Sequence, residues 1–103
     1  VLLGIAALAH CGKWWAGEKD LKEPQLSPIF GKMAGLPAVD VFVGTGEIFL
    51  PDVHILRQNI LDAGGMINVY EYPGAFHDFV SVPFLPETRS VFQVLEKALI
   101  AAE

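Results

Sequence analysis

Apolar residues along the chain fall into blocks of two different periods, and the breaks between blocks coincide with glycine and proline. Val1 to Ala16 is a nearly continuous, alanine-rich apolar run weakened at Gly4 and Gly12, which predicts a helix stopped by Gly17. From Glu18 to Pro37 every period is broken by Pro24, Pro28, Gly31, Gly35 and Pro37. The expectation there is a long ordered loop with one short helical turn, a length typical of a lid, a cap or a connection. Val39 to Val43 is a short β-branched run ending at Gly44, the pattern of a buried strand. Pro51 and Asp52 then open a helix, because proline fits the first helical position and an acid suits the positive end of the dipole. Val53, Leu56, Ile60 and Ala63 recur at helical spacing until Gly64 closes it. Ile67 to Tyr72 reads as a second strand. Pro86 and Glu87 begin a last helix, with Val91, Leu95, Ala98 and Ala102 on one face and Phe92 and Leu99 beside it.

The order is helix, long loop, strand, helix, strand, helix. Two strands joined through a helix by short connections favour a parallel pair with a right-handed crossover. A parallel sheet needs cover on both faces and more than two strands. The fold class is therefore α/β, read as the C-terminal portion of a doubly wound, mostly parallel sheet. Residues 1–37 supply a cap-like helix and connecting loop, and residues 38–103 the last two strands and helices. The expectation is that the chain packs with a missing N-terminal portion and forms a homodimer through the edge strand 67–72, since an uncovered edge needs protection.

Composition narrows the function. With 52% hydrophobic and 18% charged residues the chain is core-rich rather than disordered. A net charge of -5 and seven scattered basic residues leave no positive stripe for a phosphate backbone, so no nucleic-acid partner is expected. Cys11 has no disulfide partner and is expected to be a small core residue; with His10, His54 and His77 it forms none of the usual metal spacings, so no metal or other cofactor is implied. The opening apolar run, broken by Gly4, falls far short of the roughly 20 residues of a membrane span. The expected compartment is the cytoplasm.

The chemistry lies at the strand ends, where loops converge in open α/β sheets. Glu47 follows the first strand in "GTGEIFLPD" and His77 follows the second in "YPGAFHDF". If the strands are parallel neighbours, their tips lie about 5 Å apart and the two side chains can meet. A carboxylate beside an imidazole fixes its tautomer and stabilises the imidazolium formed when it takes a proton from a nucleophile. Plainer readings compete: His77 as a loop histidine, and Glu47 as a cap for the helix near Pro51. Asp52 and Asp78 are rival acids, the first read as structural and the second as pointing away. His54 reads as a surface residue and His10 as core or cap packing. Trp14 and Trp15, near the end of the opening helix, read as ordinary core packing. Phe76 and Phe79 flank the histidine and are expected to lock its loop, with Phe76 also a candidate substrate contact.

The run "DLKEPQLSPIFGKMAGLPAVDVFVGTGEIFLPDVHILRQNILDAGGMINVYEYPGAFHDF", followed by "LPETRSVFQVLEKAL", resembles the C-terminal part of the hormone-sensitive-lipase-like esterases and lipases, including lactone hydrolases, of the α/β-hydrolase fold. The resemblance implies that Glu47 takes the position of the triad acid, where many relatives carry aspartate, and His77 that of the triad histidine. It places the opening helix in a cap over the active site, which makes Trp14 and Trp15 candidates for an acyl pocket. It also implies a small-molecule ester or lactone substrate and an acyl-enzyme route. The family's nucleophilic serine, in G-x-S-x-G, and its HGG-type oxyanion motif are both absent from the sequence. Ser27, Ser81 and Ser90 lack the flanking glycines, so the chain by itself is expected to be inactive. The alternative is a non-catalytic α/β binding or interaction module, or a degenerate hydrolase relative.

Overall fold

A computed structural model of the protein describes residues 4–102; the predicted helical start at residues 1–3 lies outside them. Three helices, α1 (Ile5–Ala16), α2 (Leu50–Asp62) and α3 (Pro86–Ala101), accompany two strands, β1 (Val39–Gly44) and β2 (Ile67–Tyr72). Two short 3₁₀ turns, Pro28–Phe30 and Phe79–Ser81, complete the order. The first is the helical turn expected within the long loop. The second was not visible as a periodic pattern.

The strands pair in parallel, in a register running from Val39 opposite Ile67 to Gly44 opposite Tyr72. Because side chains alternate across a strand, Val39, Val41 and Val43 share a face with Ile67, Val69 and Glu71. Asp40 and Phe42 share the other with Asn68, Tyr70 and Tyr72. Helix α2 packs on both strands and reaches Glu71 through His54, which places it on the valine face. On the opposite face Phe42 and Tyr72 pack with Ala75, Phe79 and Val91, bringing in α3. Phe42 stacks on Tyr70 at 4.8 Å between ring centroids, within the range in which aromatic pairs attract. Cover on both faces is what a parallel pair requires.

The apolar stripes of the helices are buried only in part. In α2, Ile60 is fully buried while Val53 and Leu56 are half-buried; Ala63, the cap residue just past its end, is exposed. Asn59 joins this face because its amide donates to the Ile29 carbonyl at 3.1 Å, tying α2 to the long loop. In α3 the buried stripe runs through Thr88, Val91 and Leu95 and then stops. Ala98 and Ala102, expected on the same face, are exposed, as are Phe92 and Leu99. Their burial would need a surface beyond the reach of Phe79 and β1.

Helix α1 departs furthest from expectation. Only Ala16 of its residues is buried. Cys11, expected in the core, is exposed, and so is His10, whose ring lies tilted against Trp14 at 4.5 Å between centroids. The described residues extend over 43 × 35 × 20 Å with a radius of gyration of 15.6 Å, above the roughly 13 Å of a compact chain of about 100 residues. The molecule is a slab, so apolar side chains on its outer faces meet no partner within it. No helix among the described residues is long and apolar enough to cross a membrane.

Candidate active site

Backbone and threonine hydrogen bonds fasten the two strand-end loops to each other. After β2, the chain turns through Pro73 and Gly74, and the Ala75 N–H donates to the Tyr72 carbonyl at 3.1 Å. Proline at the second turn position and glycine at the third, with φ 71°, are what a type II turn demands. The Thr45 N–H donates to the same Tyr72 carbonyl at 3.0 Å, and the Gly46 N–H to the Ala75 carbonyl at 3.1 Å. The Gly74 N–H in turn donates to Thr45 Oγ1 at 2.8 Å. These bonds continue the sheet's pairing beyond the last residues of both strands.

Gly44 makes this approach possible. A Cβ at that position would stand 2.0 Å from the Ala75 carbonyl oxygen, a backbone atom that cannot yield. Glycine is needed here for close passage rather than for an unusual backbone angle.

Beyond His77 the chain is held by three features. Asp78 adopts the left-handed conformation at φ 59°, which aspartate tolerates better than most residues. Its carbonyl accepts both the Ser81 N–H, at 3.0 Å, and the Ser81 hydroxyl, at 2.8 Å. Phe79 is then driven into the core, where its carbonyl accepts the Thr88 hydroxyl at 2.9 Å. Thr88 is fully buried, so this bond satisfies a hydroxyl that would otherwise be desolvated without compensation; the same carbonyl also accepts the Val82 N–H at 3.0 Å. Of the two phenylalanines expected to lock the loop, Phe79 is buried and Phe76 is 44% exposed. The anchoring is done by Phe79, and Phe76 sits outside it.

Within this frame Glu47 and His77 come together, with Glu47 Oε1 3.4 Å from His77 Nδ1. The separation is longer than an ordinary N–H···O bond. The Glu47 side chain is only 10% exposed, against 43% for His77, so the acid lies behind the imidazole and the imidazole faces outward. No hydrogen bond to His77 Nε2 is found among the described residues. The ring of Phe49 flanks the imidazole at 5.5 Å between centroids. Glu47 does not cap α2: the cap position is Phe49, and no side-chain capping bond is made. Asp52 lies in the first turn of α2, as expected of a structural acid.

Sequence reasoning passed over Phe49, whose position two residues beyond the acid was the available signal. It also missed a second pair, His54 with Glu71, whose Nε2 and Oε1 are in contact between α2 and β2. Trp14 and Trp15, candidates for the acyl pocket, are 73% and 80% exposed. A groove of about 330 Å³ beside the Glu47 loop takes its α1 wall from Ile5, Leu8 and Ala9 instead.

Each serine already has a structural bond. Ser27 donates to the Leu21 carbonyl and Ser81 to the Asp78 carbonyl, while Ser90 shares a bond with the Tyr72 hydroxyl. Among the described residues no three His, Cys, Asp or Glu side chains converge as a metal site would require.

Residues 1–81 match the family profile of the alpha/beta hydrolase fold. An acetyl-hydrolase from Streptomyces hygroscopicus is 33% identical over 95 residues, a match that takes in 91% of this chain and 32% of that protein. The crystal structure of an esterase, E25, superposes with a TM-score of 0.84 at 26% identity, over 91% of this chain and 29% of its own. A hormone-sensitive lipase from a metagenome library superposes with a TM-score of 0.83 over 98% of this chain and 35% of its own; at 24% identity it speaks to the fold alone. The chain thus spans about a third of the length of the relatives it matches. It belongs to the α/β-hydrolase family, with hormone-sensitive-lipase-like esterases among its structural neighbours.

Proposed function

We propose that the protein of which these residues form part hydrolyses carboxylic esters or lactones by an acyl-enzyme route. The nucleophilic serine and the oxyanion hole lie outside these 103 residues. The observation that carries the reading is the placement of Glu47 behind His77 Nδ1, at 3.4 Å, with Nε2 left without a partner among the described residues. The structural bonds of Ser27, Ser81 and Ser90 support a nucleophile from elsewhere.

In this mechanism His77 Nε2 takes the proton of the serine hydroxyl as its oxygen attacks the substrate carbonyl. Glu47 accepts the Nδ1–H and stabilises the imidazolium that forms. His77 then returns the proton to the leaving alkoxide, and the acyl group remains on the serine. In the second half His77 deprotonates a water that attacks the acyl-enzyme, and the same proton restores the serine as the acid departs. The route requires no cofactor. The name of the acetyl-hydrolase relative makes short acyl esters the first substrates to try.

Both long edges of the two-stranded sheet are unpaired among the described residues, and an open edge recruits another strand. The remainder of a family-length protein would pair with β1 and bring the serine to His77. The outer edge of β2 would meet a second copy. Trp14 and Trp15 of the cap helix, and Phe76, all exposed, would contact substrate.

A fluorophosphonate probe tests the chemistry directly. The complete protein should be labelled on a serine outside residues 1–103, and His77→Ala should abolish labelling. Absence of labelling in the wild type, or a label on Ser27, Ser81 or Ser90, would reject the assignment.

A further inference from the structure

Two apolar grooves flank the candidate site. The first, of about 330 Å³, runs between Ile5, Leu8 and Ala9 of α1 and Ile48 and Phe49 of the Glu47 loop with Pro51 of α2. The second, of about 230 Å³, lies between Pro28 and Ile29 of the long loop and Phe49, Val53 and Leu56. Besides Asp52, Phe49 is the one residue that lines both. It is also the residue whose ring flanks His77, at 5.5 Å between centroids.

We propose that Phe49 sets the acyl-chain limit of the substrate, its ring standing as a partition between the α1 groove and the Pro28 groove beside the catalytic imidazole. This rests on the hydrolase reading, in which the acyl group attached to the serine must lie next to His77. From there the α1 groove is the larger apolar recess. An alkyl chain entering it gains free energy from leaving water and meets one polar side chain, Asp52, which stands with Phe49 where the two grooves adjoin. The Phe49 ring blocks the chain from passing out of this groove into the one beside Pro28 and Ile29. Removing the ring joins the two grooves into one trough continuing past Pro28 and Ile29.

The backbone makes this position suitable for substitution. Phe49 is the cap residue of α2, and its carbonyl accepts the Val53 N–H at 3.0 Å. That bond does not depend on the side chain, so the loop keeps its anchor when the ring is exchanged. Phe49 is 36% exposed, so truncating its ring opens space at the surface rather than a sealed void in the core.

The test uses the complete protein and the p-nitrophenyl esters of acetate, butyrate and octanoate. The readout is the ratio of kcat/KM for octanoate to that for acetate, in which any general effect of Phe49 on the imidazole cancels. Phe49→Ala should raise the ratio by about tenfold or more, the scale on which a pocket discriminates methylenes, chiefly through a lower KM for octanoate. Phe49→Trp should lower it. Phe49→Leu, which keeps an apolar side chain of intermediate size, should fall between wild type and alanine and stands in if the alanine variant does not fold. A ratio within about twofold of wild type in the folded variants overturns the partition. If the wild type hydrolyses none of the esters, the hydrolase reading itself fails. If the wild type is active and His77→Ala is not, an unchanged ratio rejects Phe49 alone.

Discussion

Two histidine–glutamate pairs occupy different regions of this chain, and they share nothing beyond their chemistry. His77 and Glu47 meet at the carboxyl end of the sheet, on two loops joined through Thr45, Gly46, Gly74 and Ala75. His54 and Glu71 meet on the flank, where α2 crosses the valine face of β2. The acid of the first pair is 10% exposed, whereas both members of the second are open to water, at 53% for His54 and 43% for Glu71. A carboxylate shielded from solvent can hold an imidazole in one tautomer and stabilise its charged form. A solvated one competes with water for the same role. Location in the fold, rather than residue type, separates a candidate catalytic dyad from a surface contact.

The largest effect that could break this comparison is kinetic. In the complete protein His77→Ala should lower kcat/KM for p-nitrophenyl acetate by about 10⁴-fold or more, and Glu47→Gln by up to about 10⁴-fold through loss of the correct tautomer. His54→Ala and Glu71→Gln should stay within about twofold of wild type, as exposed substitutions away from a site do. If the flank variants lost as much activity as the loop variants, the two regions would not be distinct in function.

Much of this contrast was legible in the sequence, and the reasons differ by residue. The strands were readable because β-branched runs end at Gly44 and at Pro73-Gly74, where side-chain requirements are local. Glu47 and His77 were readable because a parallel pair must bring its two strand ends together, whatever else the chain does. The His54–Glu71 contact was not, since it depends on which face of β2 receives α2 and on the rotation of that helix about its axis. The same limit explains Cys11, Ala98 and Leu99. A periodic apolar stripe announces a face that can be buried, but the extent of burial is set by the neighbour, and α1 and the end of α3 have little of one in this slab. The left-handed Asp78 was hidden for the opposite reason: it is a single residue, and aspartate is compatible with many turns.

A smaller effect sharpens the structural side. Gly44→Ala places a methyl group 2.0 Å from the Ala75 carbonyl oxygen, and relieving that clash requires the two loops to separate. The expected cost is about 3 kcal/mol, the upper end for overpacking, together with a fall in kcat/KM as Glu47 and His77 move apart. Gly12→Ala, in α1, meets no atom within 4 Å and should stabilise by about 0.5–1 kcal/mol through helix propensity alone. Urea unfolding of both variants distinguishes a glycine required by close approach from one that merely weakens a helix. Equal behaviour of the two would remove Gly44 as the fastening point of the site.

The smallest expected effect tests the flank pair on its own terms. A double-mutant cycle with His54→Ala and Glu71→Ala, read by urea unfolding, should give a coupling energy of about 0.2–1 kcal/mol, as for other exposed pairs. The contact is close, but closeness is not strength when water can solvate both partners and two side chains must be ordered to maintain it. Raising the salt concentration should shrink the coupling further where the pair is charged, since screening acts on groups that solvent reaches. A coupling above about 2 kcal/mol that persists in high salt would mean that His54 and Glu71 are shielded from solvent in the complete protein. The flank would then be a second protected dyad, and shielding of the acid could no longer be what sets the strand-end loops apart.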